Sequence, residues 1–218
     1  MNNELIRRII SSIILLPFTF FFIIEGSILF NSLILFCFLI TSFEWHMMSK
    51  KKPYYLIGYL FLFFSFYSIY ILRNEYPGGY LHVLLIISIC VFTDIGGYIF
   101  GKVFKGPKLT KFSPNKTYSG MLGSYTSAIL FTTILFNNDI IFSNTAEINL
   151  NFLIFVFIVS TVSQLGDISI SYFKRLSKIK DTGTIIPGHG GLLDRVDGMI
   201  FAFPFSFMIF SLSDFRFF

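Results

Sequence analysis

The sequence predicts an all-α, polytopic membrane protein: a bundle of about seven transmembrane helices whose N-terminus lies in the cytoplasm. The 218-residue chain is 54% hydrophobic and only 13% charged, whereas soluble domains carry about 25% charged residues. Aromatic residues make up 20% of it, and 31 of them are Phe. Its apolar residues form long runs, and its basic residues lie between those runs. Both features are typical of a chain that crosses a bilayer repeatedly.

Seven runs are long enough to be spans, because crossing the hydrocarbon core takes about 20 residues. The first two are barely separated, which predicts a tight helical hairpin, and Pro204 predicts a kink in the seventh. No internal repeat or linker interrupts the series, so residues 1–218 are interpreted as a single domain. The predicted spans are residues 9–25, 27–44, 54–72, 80–101, 119–137, 151–173 and 196–212.

The distribution of charge predicts the orientation. With a cytoplasmic N-terminus, all but two of the 17 Lys and Arg residues fall in cytoplasmic segments, the exceptions being Arg73 and Arg216. This bias follows the positive-inside rule. The net charge of +5 therefore indicates topology, and we expect no nucleic-acid partner, which would need a basic face on a soluble fold. No cleavage site follows the first apolar run, and with the compact length this favours a bacterial inner membrane.

Two predicted spans contain an acidic residue, Asp94 in the fourth and Asp167 in the sixth. An ionisable residue at such a depth is costly and usually faces a polar cavity, so both are candidate functional residues. Hydrogen bonding between helices is the alternative explanation for the serines that accompany Asp167. At helical spacing, Asp94 aligns with Tyr98 and Lys102, and Asp167 aligns with Ser160, Ser163, Gln164, Ser171 and Lys174.

The cytoplasmic loop 102–118 contains five lysines together with Ser, Thr, Gly and Pro. Ammonium and hydroxyl groups both bind phosphate oxygens, so this loop is suited to a polyanion. An ordinary contact with anionic lipid head groups explains the charge equally well.

The segment 166–198 carries the most specific pattern. The turn Pro187–Gly191 permits close backbone approach to a ligand, and a helix beginning after it would place Asp194 and Asp197 on one face. With Asp167 close by, these carboxylates would supply hard oxygen ligands for Mg²⁺. Metal, cations and a glycine turn together indicate phosphoryl or nucleotidyl transfer. The cations that would neutralise phosphates are Lys174, Arg175, Lys178, Lys180 and Arg195.

The polar positions between Ser171 and Asp197 resemble the signature of phosphatidate cytidylyltransferases, also called CDP-diacylglycerol synthases. The resemblance extends over nearly the whole chain and includes the Glu44-Trp45 pair after the second span. The matching positions are Ser171, Phe173, Lys174, Arg175, Lys180, Asp181, Gly183, Pro187, His189, Gly190, Gly191, Asp194, Arg195 and Asp197, then Asp94, Gly96, Tyr98, Gly101, Lys102, Lys108, Leu109, Ser113, Pro114, Lys116 and Thr117.

This resemblance implies that CTP reacts with phosphatidic acid in the bilayer to give CDP-diacylglycerol and pyrophosphate. It implies Asp167 and Asp194 as principal ligands of one or two Mg²⁺ ions, with Asp197 binding the metal or supporting a ligand. A homodimer is left open. The predicted catalytic residues are Asp167, Asp194, Lys174, Arg175 and His189, and the predicted substrate-binding residues are Lys116, Ser113, Lys102, Lys180, Arg195 and Asp94.

Two of these residues keep alternative roles. His189 could donate to a phosphate, orient a metal ligand or brace its own loop, and Asp94 could bind metal or pair with a lysine. One position departs from the family pattern, because Ile170 stands where members typically carry Glu. A family member of low activity is therefore one alternative function. A membrane transporter of a small polar or anionic substrate is the other, since intramembrane carboxylates occur there too.

Overall fold

The computed structural model describes residues 17–110, 113, 115–137, 148–185 and 190–212, and each predicted span overlaps a helix within these ranges. No strand occurs among the described residues, and Lys108 and Thr117 form an isolated antiparallel bridge. The helices are α1 (17–25), α2 (Ser27–Ser49), α3 (Tyr55–Asn74), α4 (Gly79–Phe104), α5 (Tyr118–Phe136), α6 (Leu150–Leu176), α7 (Leu193–Val196) and α8 (Met199–Leu212).

Five of the described helices, α2 to α6, are long and apolar enough to cross a membrane, and α8 is a shorter apolar helix. Many large apolar side chains on them point outward, among them Phe36 and Leu39 on α2. Lipid is the environment in which such a surface is stable. The prediction of an all-α membrane bundle is therefore confirmed, whereas the count of seven and the side of the N-terminus stay predictions.

Two helix boundaries differ from those predicted. Helix α2 continues to Ser49 instead of ending at residue 44, because the carboxylate of Glu44 is buried and hydrogen-bonded inside the protein and does not mark the end of a span. The last predicted span begins later than residue 196, since a turn at Asp197 separates the short α7 from α8. Pro204 lies within α8, and the kink expected there stays a prediction.

The segments that follow α2 and α6 come together at one end of the bundle. Lys52, after α2, donates from Nζ to the carbonyl oxygen of Leu176 at the end of α6 (3.4 Å). The hydroxyl groups of Tyr54 and Ser177 are 3.1 Å apart across the same boundary. The tertiary structure thus brings two basic segments, distant in sequence, to the same end of the bundle.

Helices α4 and α5 make the most extensive contact between any two helices described. Small residues permit this approach: a Cβ at Gly96 would lie 2.4 Å from the carbonyl oxygen of Gly123, and one at Gly120 would lie 2.8 Å from that of Gly97. Close packing of backbones through small residues is a common way to associate helices in membranes. Helix α6 packs against both, and the three helices enclose the space described next.

Candidate active site

A cavity of about 290 Å³ lies between α4, α5 and α6, beneath the loop that joins α4 to α5. Ten of the fourteen residues that line it have polar side chains, although it is built within apolar spans. A polar space at this depth is the setting expected for the acidic residues of α4 and α6. The lining residues are Thr93, Asp94, Gly97, Tyr98, Leu109, Ser113, Asn115, Lys116, Thr117, Gly120, Met121, Ser124, Gln164 and Asp167.

Local hydrogen bonds in the loop after α4 fix the position of Lys116. The N–H of Leu109 donates to the carbonyl oxygen of Lys116 (2.8 Å), and the N–H of Lys116 donates to that of Ser113 (3.1 Å). The ammonium group then reaches α6, where it forms an ion pair with Asp167 and lies 3.4 Å from the carbonyl oxygen of Gln164. Two predicted site residues, far apart in sequence, are therefore in direct contact.

Hydroxyl groups connect the helices at the deeper wall of the cavity. Thr93 Oγ1 donates to Ser160 Oγ (2.8 Å), Ser124 Oγ donates to the carbonyl oxygen of Thr93 (2.8 Å), and Gln164 Nε2 lies 3.5 Å from Ser160 Oγ. Ser160 of the α6 stripe thus provides hydrogen bonding between helices, which was considered as an alternative. Gln164 and Asp167 of the same stripe line the cavity, and their functional role stays a prediction.

Asp194 lies in a second polar cluster, formed by α6, α7 and the segment between them. Its Oδ1 accepts from Lys174 Nζ (2.8 Å), and its Oδ2 accepts from the N–H groups of Thr182 (2.8 Å) and Gly191 (3.1 Å). Both charged side chains are largely buried, with exposed fractions of 12% for Lys174 and 6% for Asp194. Burial alone would raise the pKa of Asp194, but the hydrogen bonds from Lys174 and Thr182 outweigh it and lower that pKa below its ordinary value. The carboxylate is therefore held ionised.

Asp197 occupies the turn between α7 and α8. It is buried, and its Oδ1 accepts from the N–H of Gly198 (2.9 Å). Burial raises its pKa well above the ordinary value, and the negative charges of Asp167 and Asp94 raise it further. Carboxylates that repel one another across a common space favour a cation or a proton between them. The structure thus connects the turn electrostatically to the cavity.

The remaining predicted residues are spread over the surface of the same end. Lys102 is exposed and contacts Tyr98, with Nζ 5.5 Å from the ring centroid. Arg175 donates to the carbonyl oxygen of Ile179 and closes the turn after α6. Lys180 and Arg195 are exposed. The prediction for His189 lies outside the described residues.

The predicted Mg²⁺ site can be compared with the ligands that the structure offers. Within the described ranges, no three Asp, Glu, His or Cys side chains are grouped closely enough to hold an ion by themselves. The ligand chemistry nevertheless fits, because Mg²⁺ usually takes one or two protein carboxylates and completes its shell with water and substrate phosphates. Asp167 and Asp197 are two such carboxylates, and the negative charge of Asp167 raises the pKa of Asp197. The assignment of Mg²⁺ to Asp167, Asp194 and Asp197 stays a prediction.

Sequence reasoning assigned no functional role to Glu44. The side chain is only 1% exposed, although the sequence placed it at the end of a span and used it only for the family resemblance. The sequence could have indicated a role for Glu44 in the way that it did for Asp94 and Asp167, because this carboxylate too belongs to a long apolar run. Its partners could not be predicted, because all of them lie more than 130 residues away in sequence.

Comparison with known proteins gives one consistent result. The model of the cytidylyltransferase family matches residues 53–213. A phosphatidate cytidylyltransferase of Rickettsia bellii is 35% identical over 219 residues, covering 95% of this chain and 91% of the relative. The enzyme of the same name from Rickettsia typhi is 36% identical, covering 95% and 92%. That of Brucella melitensis is 37% identical over 146 residues, and the match spans only 52% of its length, about half of that relative.

Proposed function

Since this chain belongs to the cytidylyltransferase family, we propose that it transfers the cytidylyl group of CTP to phosphatidic acid. The observation that carries the proposal is the pairing of a lysine with each of two site carboxylates, Lys116 with Asp167 and Lys174 with Asp194, at one end of a membrane bundle. The names of the Rickettsia relatives, which align over more than nine tenths of their length, support the same substrates. No specific feature favours a transporter.

The reaction needs no strong base in the protein. The nucleophile is an oxygen of the lipid phosphate, which is already anionic at neutral pH. It attacks the α-phosphorus of CTP, a new P–O bond forms, and the bond from the α-phosphorus to the oxygen that bridges to the β-phosphorus breaks. Pyrophosphate leaves with that bridging oxygen, and the product is CDP-diacylglycerol. Catalysis then depends on positioning the two anions and neutralising their charge.

The described residues can supply that positioning. Lys116 lies at the cavity next to Asp167. Lys174 lies on α6, two turns after Asp167. A lysine already held by a carboxylate loses little side-chain entropy when it binds a phosphate oxygen. We assign Lys116 and Lys174 to the phosphate groups that react, and the exposed Arg175, Lys180 and Arg195 to the approach and departure of the polyphosphate.

Mg²⁺ held by Asp167, Asp194 and Asp197 would neutralise charge on the phosphates as they react. Lys116 orients the carboxylate of Asp167, and Lys174 orients that of Asp194. The basic end of the bundle would face the cytoplasm of a bacterium, where CTP is available, and the lipid phosphate would enter from the bilayer.

The proposal is tested with protein purified in detergent. It is given α-³²P-labelled CTP, phosphatidic acid and Mg²⁺, and the organic phase is analysed for a labelled lipid while pyrophosphate is measured in the aqueous phase. We expect the two products in equal amounts and a loss of both with EDTA. Absence of labelled lipid, under conditions in which a Rickettsia relative prepared in the same way forms it, would refute the proposed activity. Product formation that persists in EDTA would refute the metal assignment alone.

A further inference from the structure

Glu44 is a buried carboxylate that accepts hydrogen bonds from both ends of the segment 182–193. Its Oε1 accepts from the N–H of Leu192 (2.9 Å), and its Oε2 accepts from the N–H of Leu193 (2.7 Å) and from Thr182 Oγ1 (3.1 Å). The side chain is only 1% exposed. None of the ion pairs found in the described part of the chain involves it. Burying a carboxylate is costly unless it is well hydrogen-bonded, so these three donors account for its presence.

Thr182 connects Glu44 to Asp194 through two different atoms. Its hydroxyl group donates to Glu44, while its backbone N–H donates to Asp194 Oδ2. The N–H of Leu193, the residue immediately before Asp194, donates to Glu44 as well. The position of the Asp194 carboxylate, and therefore of its partner Lys174, is determined through residues that Glu44 holds.

The glycines of this segment provide a second, independent observation. A Cβ at Gly183 would lie 2.8 Å from Glu44 Oε1, and a Cβ at Gly191 would lie 2.7 Å from Glu44 Oε2 and 2.2 Å from Thr182 Oγ1. Real Cβ atoms do not approach so closely, so the backbone can surround this carboxylate only where side chains are absent. Two glycines of the 171–197 pattern thus accommodate a residue of α2.

Glu44 is itself on a rigid support. The neighbouring Trp45 donates from Nε1 to the carbonyl oxygen of Tyr55 (3.0 Å), and its ring packs edge-on against Phe173 at a centroid distance of 5.4 Å. The end of α2 is thereby fixed to α3 and α6. A carboxylate on a fixed helix can hold a loop in one position better than a contact within the loop can.

From this geometry we infer that Glu44 is a positioning residue for the transfer reaction: it fixes Thr182 and the backbone of Leu192 and Leu193 so that Asp194 and Lys174 face the reacting phosphates. The inference rests on the proposed function, in which Asp194 acts at the site. Glu44 touches neither the cavity nor the proposed substrates, and it acts through Thr182 and the backbone before Asp194.

The decisive variant is Glu44→Gln, because it keeps the size of the side chain. Both carboxylate oxygens of Glu44 accept from backbone N–H groups, so a glutamine must direct its NH₂ group at one of those donors. We expect kcat to fall about 100-fold, the effect typical of a misplacement of about 1 Å. We expect KM for CTP and for phosphatidic acid to change less than about twofold, since the cavity is intact. The matched control is Glu75→Gln, an exposed glutamate at the opposite end, and it should behave as wild type.

Hydrogen–deuterium exchange provides a readout that does not depend on activity. The amides of Leu192 and Leu193 should exchange faster in Glu44→Gln, while the amides of α4 and α5 keep their protection. Faster exchange with wild-type kcat would overturn the inference, and so would a fall in kcat that is fully explained by a smaller folded fraction. If Glu44→Gln does not fold, Thr182→Val tests the same link, and we expect lower kcat there and wild-type kcat in Thr182→Ser.

The two proposals fail in distinguishable ways. If Asp194→Asn keeps full activity, the proposed site is wrong whatever Glu44 does. If Asp194→Asn is inactive and Glu44→Gln is fully active, the proposed site stands and the inference about Glu44 is wrong.

Discussion

Replacing Asp194 by asparagine separates its two tasks, because the amide has the shape of the carboxylate without its charge. The amide oxygen can still accept from the N–H groups of Thr182 and Gly191, so the segment keeps two of its hydrogen bonds. The NH₂ group must face the ammonium of Lys174, which loses a charge-assisted hydrogen bond of 2.8 Å. Such a bond contributes about 1.5–3 kcal/mol, and the largely buried lysine is left without a counter-charge.

We therefore expect Asp194→Asn to lower the free energy of unfolding by about 2–3 kcal/mol and to reduce kcat by about 10²–10³-fold. Thermal unfolding and the labelled-CTP assay, both in the same detergent, measure the two effects. Glu75→Gln is the control, since this carboxylate is exposed at the opposite end and its loss should alter neither. A variant that is less stable yet turns over at the wild-type rate would show that Asp194 only holds the loop, and the metal assignment would then be rejected.

Three further outcomes are expected. Lys116→Met should lower kcat/KM for CTP by at least about tenfold, because it removes a cation from the cavity. Lys50→Met, at an exposed position, should leave kcat/KM unchanged, and equal values for the two variants would contradict the role of Lys116. Gly96→Ala should lower stability by about 1–3 kcal/mol in thermal unfolding, since its Cβ meets the carbonyl oxygen of Gly123, and an unchanged unfolding temperature would contradict that close approach. Ile170→Glu should lower stability without raising kcat, because this side chain is 3% exposed in the apolar core; a gain in activity would show that the missing carboxylate matters.

The intramembrane carboxylates show which features of the site can be predicted from sequence patterns. Asp167 could be identified as a candidate site residue because it is a charge within an apolar span. Lys116 could be identified because it lies in a loop suited to phosphate. That they form an ion pair could not be predicted, because 50 residues, including all of α5, lie between them and their contact depends on how the loop after α4 folds back. Helical periodicity predicts which residues share a face of one helix, but it contains no information about which helix lies opposite.

Glu44 is a second residue whose contacts could not be predicted from the sequence. Its sequence neighbourhood indicates only the end of a helix, and the segment that it holds is recognisable on its own as a glycine-rich turn. The connection appears only when α2 and the 182–193 segment are packed together, since the two glycines leave room for a carboxylate that belongs to another helix.

Hydropathy and charge by themselves determined that this protein is a helical membrane bundle, because the cost of exposing backbone and charge to lipid permits few other solutions. The pattern of residues 171–197 determined the family, since so many fixed polar positions specify a single chemistry. The tertiary structure alone decided which charges meet: Lys116 with Asp167, Lys174 with Asp194, and Glu44 with the segment before Asp194. Those pairings depend on distances between helices, which are set by close packing at a few glycines and do not follow from the order of residues along any one span.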